Sequence, residues 1–160
     1  MIKKEKLALY GGHPIRKKNF PQRFAYNHQE KKIVDSLLNY SIVSGKAIRY
    51  SEKYEREYEK KFSKFMGGGF CDLVNSGTNA LLCSVAALDL EIGSEVLVPV
   101  INDPGGVMPL IFLGLIPVPL DIEKNSYNTN LIEVKKRITK KTSAVIVCHI
   151  GGEPADIIPI

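Results

Sequence analysis

A chain of 160 residues, 44% hydrophobic and 24% charged, has the composition of a globular domain or of part of one. The most apolar window, 107–120, is broken by Pro109, Gly114, Pro117 and Pro119, which excludes a membrane span, and the opening MIKKEKLALYGG lacks the apolar core of a signal peptide; a cytoplasmic protein is expected. The net charge of +5 is uneven, with 16 Lys/Arg against 7 Asp/Glu in residues 1–66 and 6 against 10 in residues 67–160.

The basic half contains the run SEKYEREYEKKFSKF (51–65), where aromatic residues interleave with charge as a nucleic-acid surface would require. Tyr54, Tyr58, Phe62 and Phe65 are spaced four, four and three apart, however, which is one stripe of an amphipathic helix. A core-facing stripe is expected, and no nucleic-acid partner. Cys71, Cys83 and Cys148 stand singly in apolar stretches and read as buried thiols, and His13, His28 and His149 are too scattered to form a metal constellation.

In chain order, residues 1–50 read as an irregular arm with one helix, HQEKKIVDSLLNY (28–40), whose Ile33, Val34, Leu37 and Leu38 share a side. The helix 51–65 opens a second region, 51–160, and stops at Gly67-Gly68-Gly69. Short β-rich runs then alternate with helical ones. Strands are predicted at 70–74, 95–100, 116–122 and 143–150; helices are predicted at 78–90, at 105–114 with Pro109 in its first turn, and at 128–138 capped by Asn128 or Thr129. Repeated βα units imply an α/β fold with a mostly parallel sheet and helices on both faces.

In such a sheet, ligands sit beyond the carboxyl ends of the strands. The junction Asn75-Ser76-Gly77-Thr78 is one such place. Ser76 and Thr78 offer hydroxyls, Gly77 permits close backbone approach, and the unpaired N–H groups of the following helix favour an anion. The same residues also cap helices for structural reasons alone, and on physics both readings stand. The junction has neither the lysine of a G-x-x-x-x-G-K-[ST] loop nor the spacing of G-x-G-x-x-G, so neither an NTPase nor a dinucleotide fingerprint fits.

The order of the segments is more specific than any one of them. LALYGGHPIR (7–16), IVSGKAIR (42–49), YEKKF (58–62), NSGTNAL (75–81), GSEVLVPV (93–100), LGLIPVPLDIE (113–123) and ITKKTSAVIVCHIGGEPADI (138–157) together resemble the DegT/DnrJ/EryC1/StrS family of pyridoxal-phosphate-dependent sugar aminotransferases. LALYGG resembles in particular the branch acting on keto-cyclitols and keto-sugars.

The resemblance implies an incomplete fold type I large domain over 51–160, pyridoxal 5'-phosphate as cofactor, and a homodimer. It implies transfer of an amino group from glutamine or glutamate to a keto-sugar or keto-cyclitol, in polysaccharide, nucleotide-sugar or secondary-metabolite synthesis. Ser76, Gly77 and Thr78 would hold the cofactor phosphate, and the loop PVINDPGGV would place Asn102 at a threonine position and Asp103 where an aromatic ring usually lies on the cofactor, although Asn-Asp-Pro-Gly-Gly is also strong turn chemistry in its own right. Glu153 stands where the family commonly has glutamine. The resemblance places the cofactor-binding lysine beyond the fourth strand, so no catalytic residue is assigned within 1–160, and these residues alone are expected to be inactive, with strand 70–74 lacking neighbours. The alternative is a non-catalytic α/β module that binds a phosphorylated ligand.

Overall fold

The computed structural model describes residues 6–160, which form two compact units divided between Glu52 and Lys53. In the first, a short 3-10 turn at Ala8–Tyr10 ends at Gly11, and helix α1 runs His28–Ser44. Its start is built as a reciprocal cap: Gln29 N donates to Asn27 Oδ1 (2.8 Å) and Asn27 N donates to Glu30 Oε2 (2.7 Å). Gly45, at φ 66°, ends it in the left-handed conformation that glycine adopts without strain.

The second unit opens with α2, Lys53–Phe65. The predicted stripe exists, and Tyr58 and Phe62 stack at 5.8 Å, yet their exposures are 51% and 41%. Neither apolar core of the unit includes an α2 side chain, so the stripe is amphipathic without being buried.

Residues 70–74 are not a strand. They join no ladder, Phe70 is fully exposed, and Leu73 N donates to Glu59 Oε1 of α2 at 3.1 Å. A β-rich run becomes a strand only where a neighbour accepts its hydrogen bonds, and no described residue pairs with it.

Helix α3 (Gly77–Ala86) follows at once, then β1 (Glu95–Pro99), a 3-10 turn at Pro104–Gly106, α4 (Met108–Phe112), β2 (Ile116–Leu120), α5 (Leu131–Arg137) and β3 (Thr142–Val145). The strands form one parallel sheet in the order β2-β1-β3. Alternation along β1 divides the interior. Val96 and Val98 pack with Val85 of α3, Leu110 of α4 and Leu115, whereas Leu97 packs on the other face with Leu120 and with Val134 of α5. Helices therefore cover both faces, as the βα alternation predicts.

The two outer edges of the sheet differ. Ile116 N donates to Ser94 O and Leu120 O accepts from Val100 N, so the even positions of β2 face β1. Pro117 and Pro119 face outward, where their missing N–H groups close that edge to a further strand. Along β3 the ladder continues past Val145, because Ile146 N donates to Leu97 O at 2.8 Å.

Candidate functional site

The candidate site is at the carboxyl end of the sheet. Ser76 is the N-cap of α3 in extended conformation (φ −161°), and its Oγ accepts from Asn79 N at 3.2 Å, while Asn79 Nδ2 donates to Asn75 Oδ1 at 2.6 Å. Those bonds fix the turn. The Gly77 and Thr78 N–H groups remain, which the first turn of a helix cannot pair internally and which carry the positive end of its dipole. A β-carbon built on Gly77 would meet nothing within 4 Å, so the cup mouth is open to a ligand.

The loop after β1 closes one side of this cup through two glycines. A β-carbon on Gly105 would overlap Thr78 Oγ1, and one on Gly106 would overlap the Asn102 carboxamide. Only residues without side chains let the loop lie between Thr78 and Asn102. Asp103 shapes the same turn: its Oδ1 accepts from Gly105 N at 2.8 Å and caps the Pro104–Gly106 helix. Thr78 and Asp103 thus converge on Gly105, Asn102 lies against Gly106, and Ser76 holds the helix end behind them. A cleft of about 390 Å³ adjoins the loop, with Val98, Val107, Pro117 and Pro119 as walls and Asn102 and Asp103 as its polar members.

Two asparagines join the three strand ends. Cys148, beyond β3, donates from Sγ to Asn102 Oδ1 at 3.5 Å, and burial holds its thiol above the ordinary value of 9.0. Asn102 Nδ2 is buried with no hydrogen-bond partner among the described residues. Asn128, only 3% exposed, accepts from Ile150 N and donates to Glu153 O, both at 2.9 Å, so the segment after β2 holds the loop after β3. Ala155 N donates to His149 Nδ1 at 2.9 Å, closing that loop.

Sequence reasoning took Asn128 or Thr129 as the α5 cap. The cap is Asn130, whose Oδ1 accepts from Glu133 N at 3.0 Å, because Asn128 is drawn inward by its two loop bonds. It also read all three cysteines as buried. Cys83 is exposed on α3, and Cys71 and Cys148 are half-buried. Gly105, Gly106 and Asn128 are members of the site that motif reading missed; adjacent glycines after an Asx-Pro turn were the available signal.

The residues present fit the phosphate end of pyridoxal 5'-phosphate. Hydroxyls, free N–H groups and an open glycine meet there, and the orphaned Asn102 amide lies beside the loop. No aromatic residue occurs in the loop 100–107 to cover a ring.

A three-stranded parallel sheet with helices on both faces defines an α/β domain, with the capped start of α3 beside the carboxyl end of β1. The model of the DegT/DnrJ/EryC1/StrS aminotransferase family matches residues 29–160, and the chain belongs to that family. It is 32% identical over 128 residues to GDP-perosamine synthase of Vibrio cholerae, with 80% of this chain and 34% of that protein covered. It is 26% identical over 156 residues to a putative L-glutamine:3-amino-2,3-dideoxy-scyllo-inosose aminotransferase of Micromonospora echinospora, covering 96% and 36%. Among solved structures, Escherichia coli GDP-4-keto-6-deoxy-D-mannose-3-dehydratase with bound hydrated pyridoxal phosphate superposes with a TM-score of 0.70 at 27% identity, over 81% of this chain and 33% of that one. The chain spans about a third of the length of these curated relatives, 34% and 36%. Among the described residues no helix is long and apolar enough to cross a membrane.

Proposed function

We propose that this chain supplies the phosphate-binding side of a pyridoxal-phosphate site in an aminotransferase acting on a keto-sugar or keto-cyclitol, with glutamine or glutamate as amino donor. The observation that carries the reading is the Ser76-capped, glycine-opened end of α3 with Thr78 held against Gly105. The names of the aligned relatives support the sugar or cyclitol class.

When bound, the cofactor supplies an electron sink for the carbon whose nitrogen is transferred. The residues of this chain hold and orient it. Gly77 and Thr78 would offer backbone N–H groups to the phosphate, Ser76 and Thr78 would add hydroxyl donors, and the α3 dipole would favour the anion. Asn102 and Asp103 belong to the loop that meets Thr78 at Gly105.

Neither residues 75–79 nor the loop 100–107 contains a lysine, so the cup has no amine of its own to hold the cofactor covalently. We therefore assign these 160 residues a binding role and no transamination by themselves. Homodimeric assembly and a cytoplasmic setting in polysaccharide, nucleotide-sugar or secondary-metabolite synthesis belong to the same proposal. Equilibrium dialysis against pyridoxal phosphate, followed by borohydride reduction, tests it. Phosphate-dependent retention without a reduced lysine adduct is expected, and a single-site lysine adduct overturns the non-covalent assignment. Retention of sugar phosphates in place of pyridoxal phosphate would favour a non-catalytic module.

A further inference from the structure

Asp103 brings a carboxylate close to Thr78, at the edge of the cup. Its Oδ1 lies 3.0 Å from the point at which a Gly105 β-carbon would stand, and Thr78 Oγ1 touches that same point. Hydroxyl and carboxylate are therefore neighbours across a glycine. The carboxylate cannot swing aside freely: Gly105 N donates to it at 2.8 Å, and Pro104 and the 3-10 turn behind it fix the backbone.

Resting on the reading of the cup as a phosphate site, we propose that Asp103 is a specificity-determining residue that lowers the affinity of the cup for a doubly charged phosphate ester. Two like-charged groups a few ångströms apart at a water-exposed site repel by an amount set by distance, dielectric and salt. Hydrogen bonding of one carboxylate oxygen to Gly105 leaves the group's full negative charge in place. Asp103 also lines the neighbouring cleft with Val98 and Val107.

Asp103→Asn tests this, because asparagine keeps the acceptor oxygen that holds Gly105 N and removes only the charge. Asp103→Ser, which retains a turn-forming oxygen, serves as a second neutral variant should the first unfold. The 160-residue chain is titrated with pyridoxal 5'-phosphate and with unphosphorylated pyridoxal at low and high salt. The expected result is about five- to twentyfold tighter binding of pyridoxal phosphate to the neutral variants at low salt, with no gain for pyridoxal. The gap should narrow as salt reduces the screening length to about 3 Å near 1 M. Equal affinity of unmodified and neutral chains for pyridoxal phosphate overturns the role of Asp103 while leaving the cup intact. Absence of pyridoxal phosphate binding in every chain overturns the cup reading and this inference together.

Discussion

The Thr78 hydroxyl occupies the space that a β-carbon on Gly105 would need, so the first turn of α3 and the loop after β1 meet with no side chain at 105 between them. Any β-carbon at 105 must displace Thr78. Gly105→Ala is expected to destabilise the second unit by about 1–3 kcal/mol, the usual cost of overpacking. Combining it with Thr78→Ala, which removes the blocking oxygen, should restore part of that loss. Urea unfolding of the two single variants and the double variant measures the coupling.

Asn128 carries a comparable share of the architecture from within the chain. Removing its carboxamide leaves Ile150 N and Glu153 O without their partner. Asn128→Ala is expected to cost about 2–3 kcal/mol, one loop-holding hydrogen bond being worth about 1 kcal/mol and unsatisfied groups costing more. Denaturant midpoints measure the loss, and hydrogen exchange at Ile150 N should rise in the variant.

Cys148 gives the second unit a dependence on alkaline pH. Burial raises its folded-state value above 9.0. Well below 9.0 the thiol is protonated in the folded and unfolded chains alike. Above it the unfolded chain loses the proton first, so stability falls as pH rises through the interval up to the folded value. Cys148→Ser should flatten that decline in thermal melts between about pH 8 and 10, a range bracketing the ordinary thiol value of 9.0. In timed alkylation at pH 8, a condition near that ordinary value, exposed Cys83 should react well ahead of Cys148.

Pro117 and Pro119 keep the outer edge of β2 from acting as a template. Replacing both with valine returns two outward N–H groups and raises β propensity on the same edge. Concentration-dependent self-association, followed by sedimentation velocity, should increase in the double variant. Unchanged association would mean that the edge is protected by something other than the prolines.

Much of the layered fold was legible because the apolar runs at 95–100, 116–122 and 143–150 are β-branched and separated by helical segments. The strand predicted at 70–74 failed for a reason that periodicity cannot reveal: Phe70 to Val74 have strand composition, but a ladder depends on a partner, and composition does not supply one. The α5 cap was ambiguous because Asn-Thr-Asn offers three capping residues in succession. Tertiary bonds to Ile150 and Glu153 took Asn128 out of contention. The cup could be read from Ser76, Gly77 and Thr78, since strand-end hydroxyls next to a helix start are a local pattern. Its closure by Gly105 could not, because that contact joins positions 27 apart in sequence through the sheet.

Backbone amide shifts report on whether the α3 end binds the phosphate of pyridoxal phosphate. On titration of the labelled chain with pyridoxal 5'-phosphate, the Gly77, Thr78 and Asn79 amides should shift together and saturate. Unphosphorylated pyridoxal should leave them in place, and Ser76→Ala with Thr78→Val should abolish the response. Identical shifts with pyridoxal and its phosphate, or none at these amides with either, would contradict the account.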